Sequence, residues 1–158
     1  MDPFSGLPFD LQLEQLKKYC SGDITINGDG SIDVDGHMNL SQLYLAKIPF
    51  KFRHVSGYFD CSYNRLISLD GAPTTVGGSF LCTDNNMFTS LDGAPTTVGG
   101  NFWCTISLPY SELFKIVDRV KYDIYYSSDI TPEDKDKIRR DRDVKTVLKD
   151  DELGNLDV

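Results

Sequence analysis

Eleven consecutive residues, SLDGAPTTVGG, occur twice without a change, at Ser68–Gly78 and at Ser90–Gly100, a spacing of 22 residues. Spacings of this size mark solenoids, in which each repeat is one coil that cannot bury its apolar face alone and must stack on its neighbours. The duplication therefore restricts the architecture before any single element is assigned. It also directs the question of function toward extended surfaces rather than enclosed pockets.

Within each coil the pattern is that of a short strand followed by a turn. Phe59-Asp60-Cys61, Phe80-Leu81-Cys82 and Phe102-Trp103-Cys104 place apolar residues two apart. Side chains alternate faces along a strand, so Phe and Cys point inward and the residue between them outward. Asn64 and Asn85 follow, then apolar pairs Leu66/Leu69 and Phe88/Leu91. Gly71-Ala72-Pro73 and Gly93-Ala94-Pro95 turn the chain, because Pro fixes φ and Gly tolerates dihedrals that other residues avoid. Val76 and Val98 lead through Gly-Gly into the next strand.

In this order of strand, Asn, paired apolar residues and turn, the chain resembles the leucine-rich repeat family. More narrowly it is similar to short repeats of tailed-phage proteins with the cadence C-x-x-N-x-L-x-S-L-x-G-A-P-x-x-V-G-G. The likeness covers about residues 23–104, with Gly30–Phe59 as a lead-in, and neither end of the chain. It implies a short leucine-rich-repeat-like solenoid with a parallel β face; with an N-terminal helix and hairpin cap and a helical C-terminal cap read from the flanks, the expected fold class is α+β. Two departures stand out. Asn85-Asn86 adds a residue where the first coil has Asn64 alone, which predicts a small bulge, and Ser107 replaces the Asn in the third coil, which predicts that the array closes there.

At 158 residues the chain has the size of one domain, 1–158. Residues 8–36 read as the N-terminal cap, 37–107 as the coils, 108–150 as a helical C-terminal segment and 151–158 as a mobile tail. Phe9, Leu13, Leu16 and Cys20 recur at helical spacing over residues 8–20, with Gly22 as the stop, and Asn27-Gly28-Asp29-Gly30 between β-rich runs reads as a hairpin. Beyond the coils, Tyr110, Leu113, Phe114 and Val117 share one helical face, and Thr131-Pro132-Glu133-Asp134 is a helix start leading into the charge-dense stretch Lys135–Lys149. Asp123–Ser128 carries strand-like aromatics that either stand apart or fold over Trp103.

No apolar run approaches the ~20 residues a membrane span needs, and the N-terminus lacks a basic segment and a long apolar stretch. Cys61, Cys82 and Cys104 recur in step with the repeat, always two after the Phe, which reads as buried free thiols rather than a disulfide or a metal set and places the chain in a reducing cytoplasm. The net charge of −8 is spread over all regions. It argues against direct nucleic-acid binding and permits a basic protein partner.

Signals for chemistry are weak. The acids around Asp23–Asp35 fail the EF-hand spacing, since the third position is Thr25 and the twelfth Val34. His37 and His54 belong to no catalytic motif, V-G-G is followed by no Gly-Lys-Ser/Thr, and no Cys follows Cys104. No enzyme, cofactor or metal is expected. The outward strand columns remain: Tyr58, Ser79 and Asn101; Asp60, Leu81 and Trp103; Ser62, Thr83 and Thr105. Outward Trp and Tyr are the residues that most often carry interface energy, so Tyr58, Asp60, Leu81, Thr83, Asn101 and Trp103 form the candidate protein-binding site. The reading that follows is a phage protein that binds and inhibits or modulates a host protein. A self-associating virion component and an acidic nucleic-acid mimic acting on a basic nuclease or DNA-binding protein are the alternatives.

Overall fold

The computed structural model describes residues 1–104, 108–126, 128–131 and 133–141. Expectations for Thr105, Ser107, Pro132, residues 142–149 and the tail 151–158 lie outside the described residues. In chain order the elements are α1 (Phe9–Leu16), β1 (Cys20–Ile26), β2 (Ile32–Asn39), β3 (Phe52–Val55), β4 (Phe59–Asp60), β5 (Thr75–Val76), β6 (Phe80–Leu81), β7 (Thr97–Val98), β8 (Phe102–Cys104), a 3-10 turn (Tyr110–Lys115), β9 (Ile124–Tyr126) and β10 (Ser128–Ile130). Residues 133–141 are helical.

The chain is a parallel-strand β-solenoid of about four turns with few helices. Each coil contributes one bent strand in two parts: β3 runs into β4, β5 into β6, and β7 into β8. Parallel pairing then builds two ladders, β2–β3–β5–β7 and β2–β4–β6–β8–β9, and β2 is long enough to serve both. The bend between the ladders explains the duplicated Gly-Gly. A Cβ on Gly77 would collide with the Ser56 carbonyl, and one on Gly99 with the Gly77 carbonyl. Hydrogen bonds from Gly78 N–H to Gly57 O (2.9 Å) and from Gly100 N–H to Gly78 O (2.8 Å) carry the ladder through the corner.

Inside, repetition produces columns of like residues. Phe59, Phe80 and Phe102 stack with centroids 5.8 and 5.3 Å apart, and Cys61, Cys82 and Cys104 line up beside them, fully buried and unpaired as thiols. Each buried Phe contributes roughly 1.5–3 kcal/mol by leaving water, and each ring pair about 0.5–1.5 kcal/mol more. The repeat Asn seals the turn beneath. The Asn64 Oδ1 accepts from Leu43 and Leu45 N–H (3.0 Å each), while its Nδ2 donates to Leu40 O (2.8 Å) and Cys61 O (3.0 Å). Asn85 repeats this one coil on, bonding Leu66 N–H (3.1 Å) and Cys61 O (3.0 Å), and the additional Asn86 is accommodated as an exposed loop residue.

The ends differ from the sequence reading. The helix expected over residues 8–20 stops at Leu16 and passes through a 3-10 turn, Lys17–Tyr19, into β1 at Cys20. Gly22 is therefore no helix stop. It lies opposite Gly36 in the β1–β2 ladder with φ +134°, and a side chain on it would strike the Asp35 carbonyl. Phe9, expected on the buried face, is 55% exposed, and Leu16 alone of α1 is buried. The Asn27–Gly30 hairpin forms, but its second strand is itself the first rung of the solenoid, pairing with β3 and β4.

Among its described residues the C-terminal segment is only partly helical. Leu113, Ile116 and Val117 are buried as a cap through a 3-10 turn rather than an α-helix. Residues 120–126 then form a further rung, with Val120 beside Val98, Ile124 beside Phe102 and Tyr126 beside Cys104. Thr131 caps residues 133–141 reciprocally with Asp134 (Oγ1–Oδ2 2.7 Å, Asp134 N–H to Oγ1 3.2 Å). Both ends of the long ladder finish in an antiparallel strand, β1 on β2 and β10 on β9.

Candidate functional site

Along the long ladder two columns of side chains face outward. The first runs His37, Tyr58, Ser79, Asn101, Asp123, and the second Asn39, Asp60, Leu81, Trp103, Tyr125. Register follows from the inward Met38, Phe59, Phe80, Phe102 and Ile124, since a strand residue flanking an inward one must face out. Between the columns lies an open groove of about 540 Å³. His37, Tyr58, Asp60, Leu81, Asn101 and Trp103 line it, together with Gly57, Gly78 and Ser79.

Two stacked aromatic pairs bound this groove. His37 and Tyr58 are parallel within 14° at 4.3 Å, and the His37 Nδ1 also accepts the Tyr58 backbone N–H at 3.0 Å. Trp103 and Tyr125 are parallel within 12° at 3.7 Å. Adjacent parallel strands lie ~4.8 Å apart, so rings in one column stack along the solenoid axis. Short polar side chains, hydrogen-bonded to backbone, stand between and beside them. The Asn101 N–H donates to Ser79 Oγ (3.1 Å), the Asp123 N–H donates to Asn101 Oδ1 (2.9 Å), and Asp60 Oδ1 accepts the Ser62 N–H (2.9 Å). Among the described residues Asp60 has no ion-pair partner.

The structure thus brings together five of the six residues singled out from the sequence. Thr83 stands apart from the groove, half-buried, with its N–H on Ser62 Oγ (3.2 Å). The segment containing Tyr125 does not fold over Trp103. It adds a strand beside it, which leaves Trp103 half-exposed and lengthens the aromatic column. Sequence reasoning missed His37 and Tyr125 as members of this surface. Their signal was positional: His37 precedes Tyr58 by 21 residues, and Tyr125 follows Trp103 by 22.

Other chemistry-bearing side chains have structural assignments. His54, Asp33 and Thr75 align across neighbouring rungs, with His54 Nδ1 and Thr75 Oγ1 2.6 Å apart. The Asp33 carboxylate, however, is held by Arg53 and not by the imidazole, and that pair keeps Asp33 below the usual carboxylate range. A Ser-His-Asp type relay needs the acid on the imidazole, so the arrangement lacks it. Burial pushes the thiols of Cys61 and Cys82 well above their ordinary value, which disfavours the thiolate that nucleophilic or metal-binding chemistry requires. Their S–H groups face the Leu81 and Trp103 carbonyls at 3.4 and 3.5 Å.

Fold and groove together describe a β-solenoid with a part-aromatic, part-polar groove on one outer face. No family model matches the chain, and no curated protein or solved structure matches it either.

Proposed function

We propose that this chain is a non-catalytic module that binds another protein through the groove between its two outward columns. The observation that carries the reading is the convergence of Tyr58, Asp60, Leu81, Asn101 and Trp103 on one open groove whose rings are braced from behind by His37 and Tyr125. Rings immobilised before binding lose little conformational entropy when a partner docks, and a half-exposed Trp beside a Leu is the composition of an interface anchor.

The repeat cadence suggests a tailed-phage setting. In that setting the chain is a leucine-rich-repeat-like phage protein acting in the host cytoplasm, where it binds a host protein, a defence protein among the candidates, and inhibits or modulates it. The asparagine ladder and the strand–Asn–apolar order support the leucine-rich-repeat likeness, and the chain's acidity suits a partner with a basic surface. Affinity capture from expressing host cells tests the proposal. Wild type should recover a partner that Trp103→Ala loses, at a cost of ~2 kcal/mol or more for an anchor of this kind. Recovery that is indifferent to Trp103 would place the interface elsewhere.

A further inference from the structure

The first outward column is a stack with one step missing. His37 and Tyr58 lie ring on ring, but the next position is Ser79, whose side chain is too small to meet the other face of Tyr58, and the position after that is Asn101. Two ladder steps of ~4.8 Å separate the Tyr58 level from the Asn101 level. Among the described residues, the Ser79 hydroxyl and the bare backbone of Gly78 line the level between. The gap therefore has the thickness of one planar group lying on Tyr58. Leu81 and Trp103 close one side of it, and Asp60, two residues along the strand from Tyr58, places a carboxylate at its mouth.

We infer that this gap is a receptor for an arginine side chain of the protein partner. The inference rests on the binding role proposed above and names the chemistry of what enters. A planar group is required by the gap's thickness and by the Tyr58 face, on which guanidinium stacks by cation–π attraction. A cation is favoured by Asp60, the one carboxylate among the groove's described lining residues, which accepts the Ser62 N–H and has no ion-pair partner among the described residues. The Ser79 hydroxyl supplies an oxygen acceptor at the gap's own level, and Asn101 closes the gap one rung further on. Guanidinium alone among side-chain groups is planar, permanently charged and able to bond a carboxylate through a fork of donors, whereas an ammonium is neither planar nor forked.

The experiment is a titration of isotopically labelled protein, followed by amide and indole NMR shifts, with three small probes: blocked arginine, blocked lysine and blocked citrulline. Blocked arginine should shift Tyr58, Ser79, Asn101 and the Trp103 indole in a saturable way. Lysine, charged but not planar, and citrulline, planar but neutral, should each bind on the order of 10-fold more weakly. Asp60→Asn should weaken arginine about 10-fold while Asp84→Asn, the same charge change on an exposed loop outside the groove, leaves it unchanged. Ser79→Phe should abolish binding by filling the missing step, with an unaltered amide spectrum elsewhere confirming the fold. Equal shifts from citrulline or lysine, or arginine binding that survives Ser79→Phe, would overturn the inference, as would the absence of arginine shifts. If arginine fails while a captured partner still depends on Trp103, the arginine receptor is wrong and the binding module stands. If arginine binds and no partner is recovered, the reverse holds.

Discussion

Trp103 and Tyr125 stack face to face across neighbouring rungs, their centroids 3.7 Å apart, and so join the last repeat coil to a rung that carries none of the repeat's motif. Trp103 is the single tryptophan of the chain, so its emission reports on this site without interference from another indole. Tyr125→Ala should expose the indole, raise its quenching by acrylamide and lower stability by about 1 kcal/mol, the usual worth of an aromatic pair. Unchanged quenching would show that the rung holding Tyr125 contributes no support to Trp103.

The buried asparagines carry a larger share of stability than any surface polar group. Removing the Asn64 amide strands the N–H groups of Leu43 and Leu45 and the carbonyls of Leu40 and Cys61 inside the turn. Asn64→Ala should therefore cost ~3 kcal/mol or more in urea unfolding, since each buried orphan costs about 1–3 kcal/mol. Asn86→Ala, at the exposed inserted residue, should shift the midpoint by less than about 0.5 kcal/mol.

Much of this architecture was legible in the sequence because repetition amplifies it. Phe59, Phe80 and Phe102 each follow a Val-x-Gly or Val-Gly-Gly corner by the same count, so strand, corner and inward face were read together. The rungs without the motif were harder. Val34/Met38/Leu40 and Val120/Ile124/Tyr126 keep the apolar spacing of the coils but replace Phe, Cys and most of the glycines, and local pattern reads them as a hairpin and as loose aromatics. A rung needs only an inward side chain of suitable volume, which many residues supply, whereas the repeat corners at Gly77 and Gly99 leave no room for a Cβ, so glycine marks them in the sequence. The same asymmetry explains the site. Tyr58 and Trp103 were visible from register, but the rings stacked on them, His37 and Tyr125, come from those degenerate rungs.

Thiol accessibility separates inward from edge cysteines. Cys61, Cys82 and Cys104 are fully buried, while Cys20 is half-exposed at the start of β1. An aromatic disulfide reagent should titrate Cys20 in the native protein and the other three only in denaturant. Rapid native labelling of all four would mean that the coils open far more readily than this packing allows.

The Tyr126 phenol occupies the step beyond Cys104, donates to the Pro109 carbonyl at 3.3 Å, and is pushed up to about 12 chiefly by burial. A phenol whose folded value lies above its unfolded value near 10 keeps its proton longer when folded. Its contribution to stability is therefore complete below about pH 10 and is lost as pH rises through about 12. Near-ultraviolet phenolate absorbance should show this late step, and Tyr126→Phe should remove it.

Site-directed photocrosslinking in host cells tests the account most directly. A benzophenone side chain is placed either at Leu81, inside the groove, or at Thr97, exposed on the other ladder. The account predicts a covalent adduct with a second protein from position 81 and none from position 97. An adduct from 97 without one from 81, or none from either, would contradict the assignment of the groove as the binding surface.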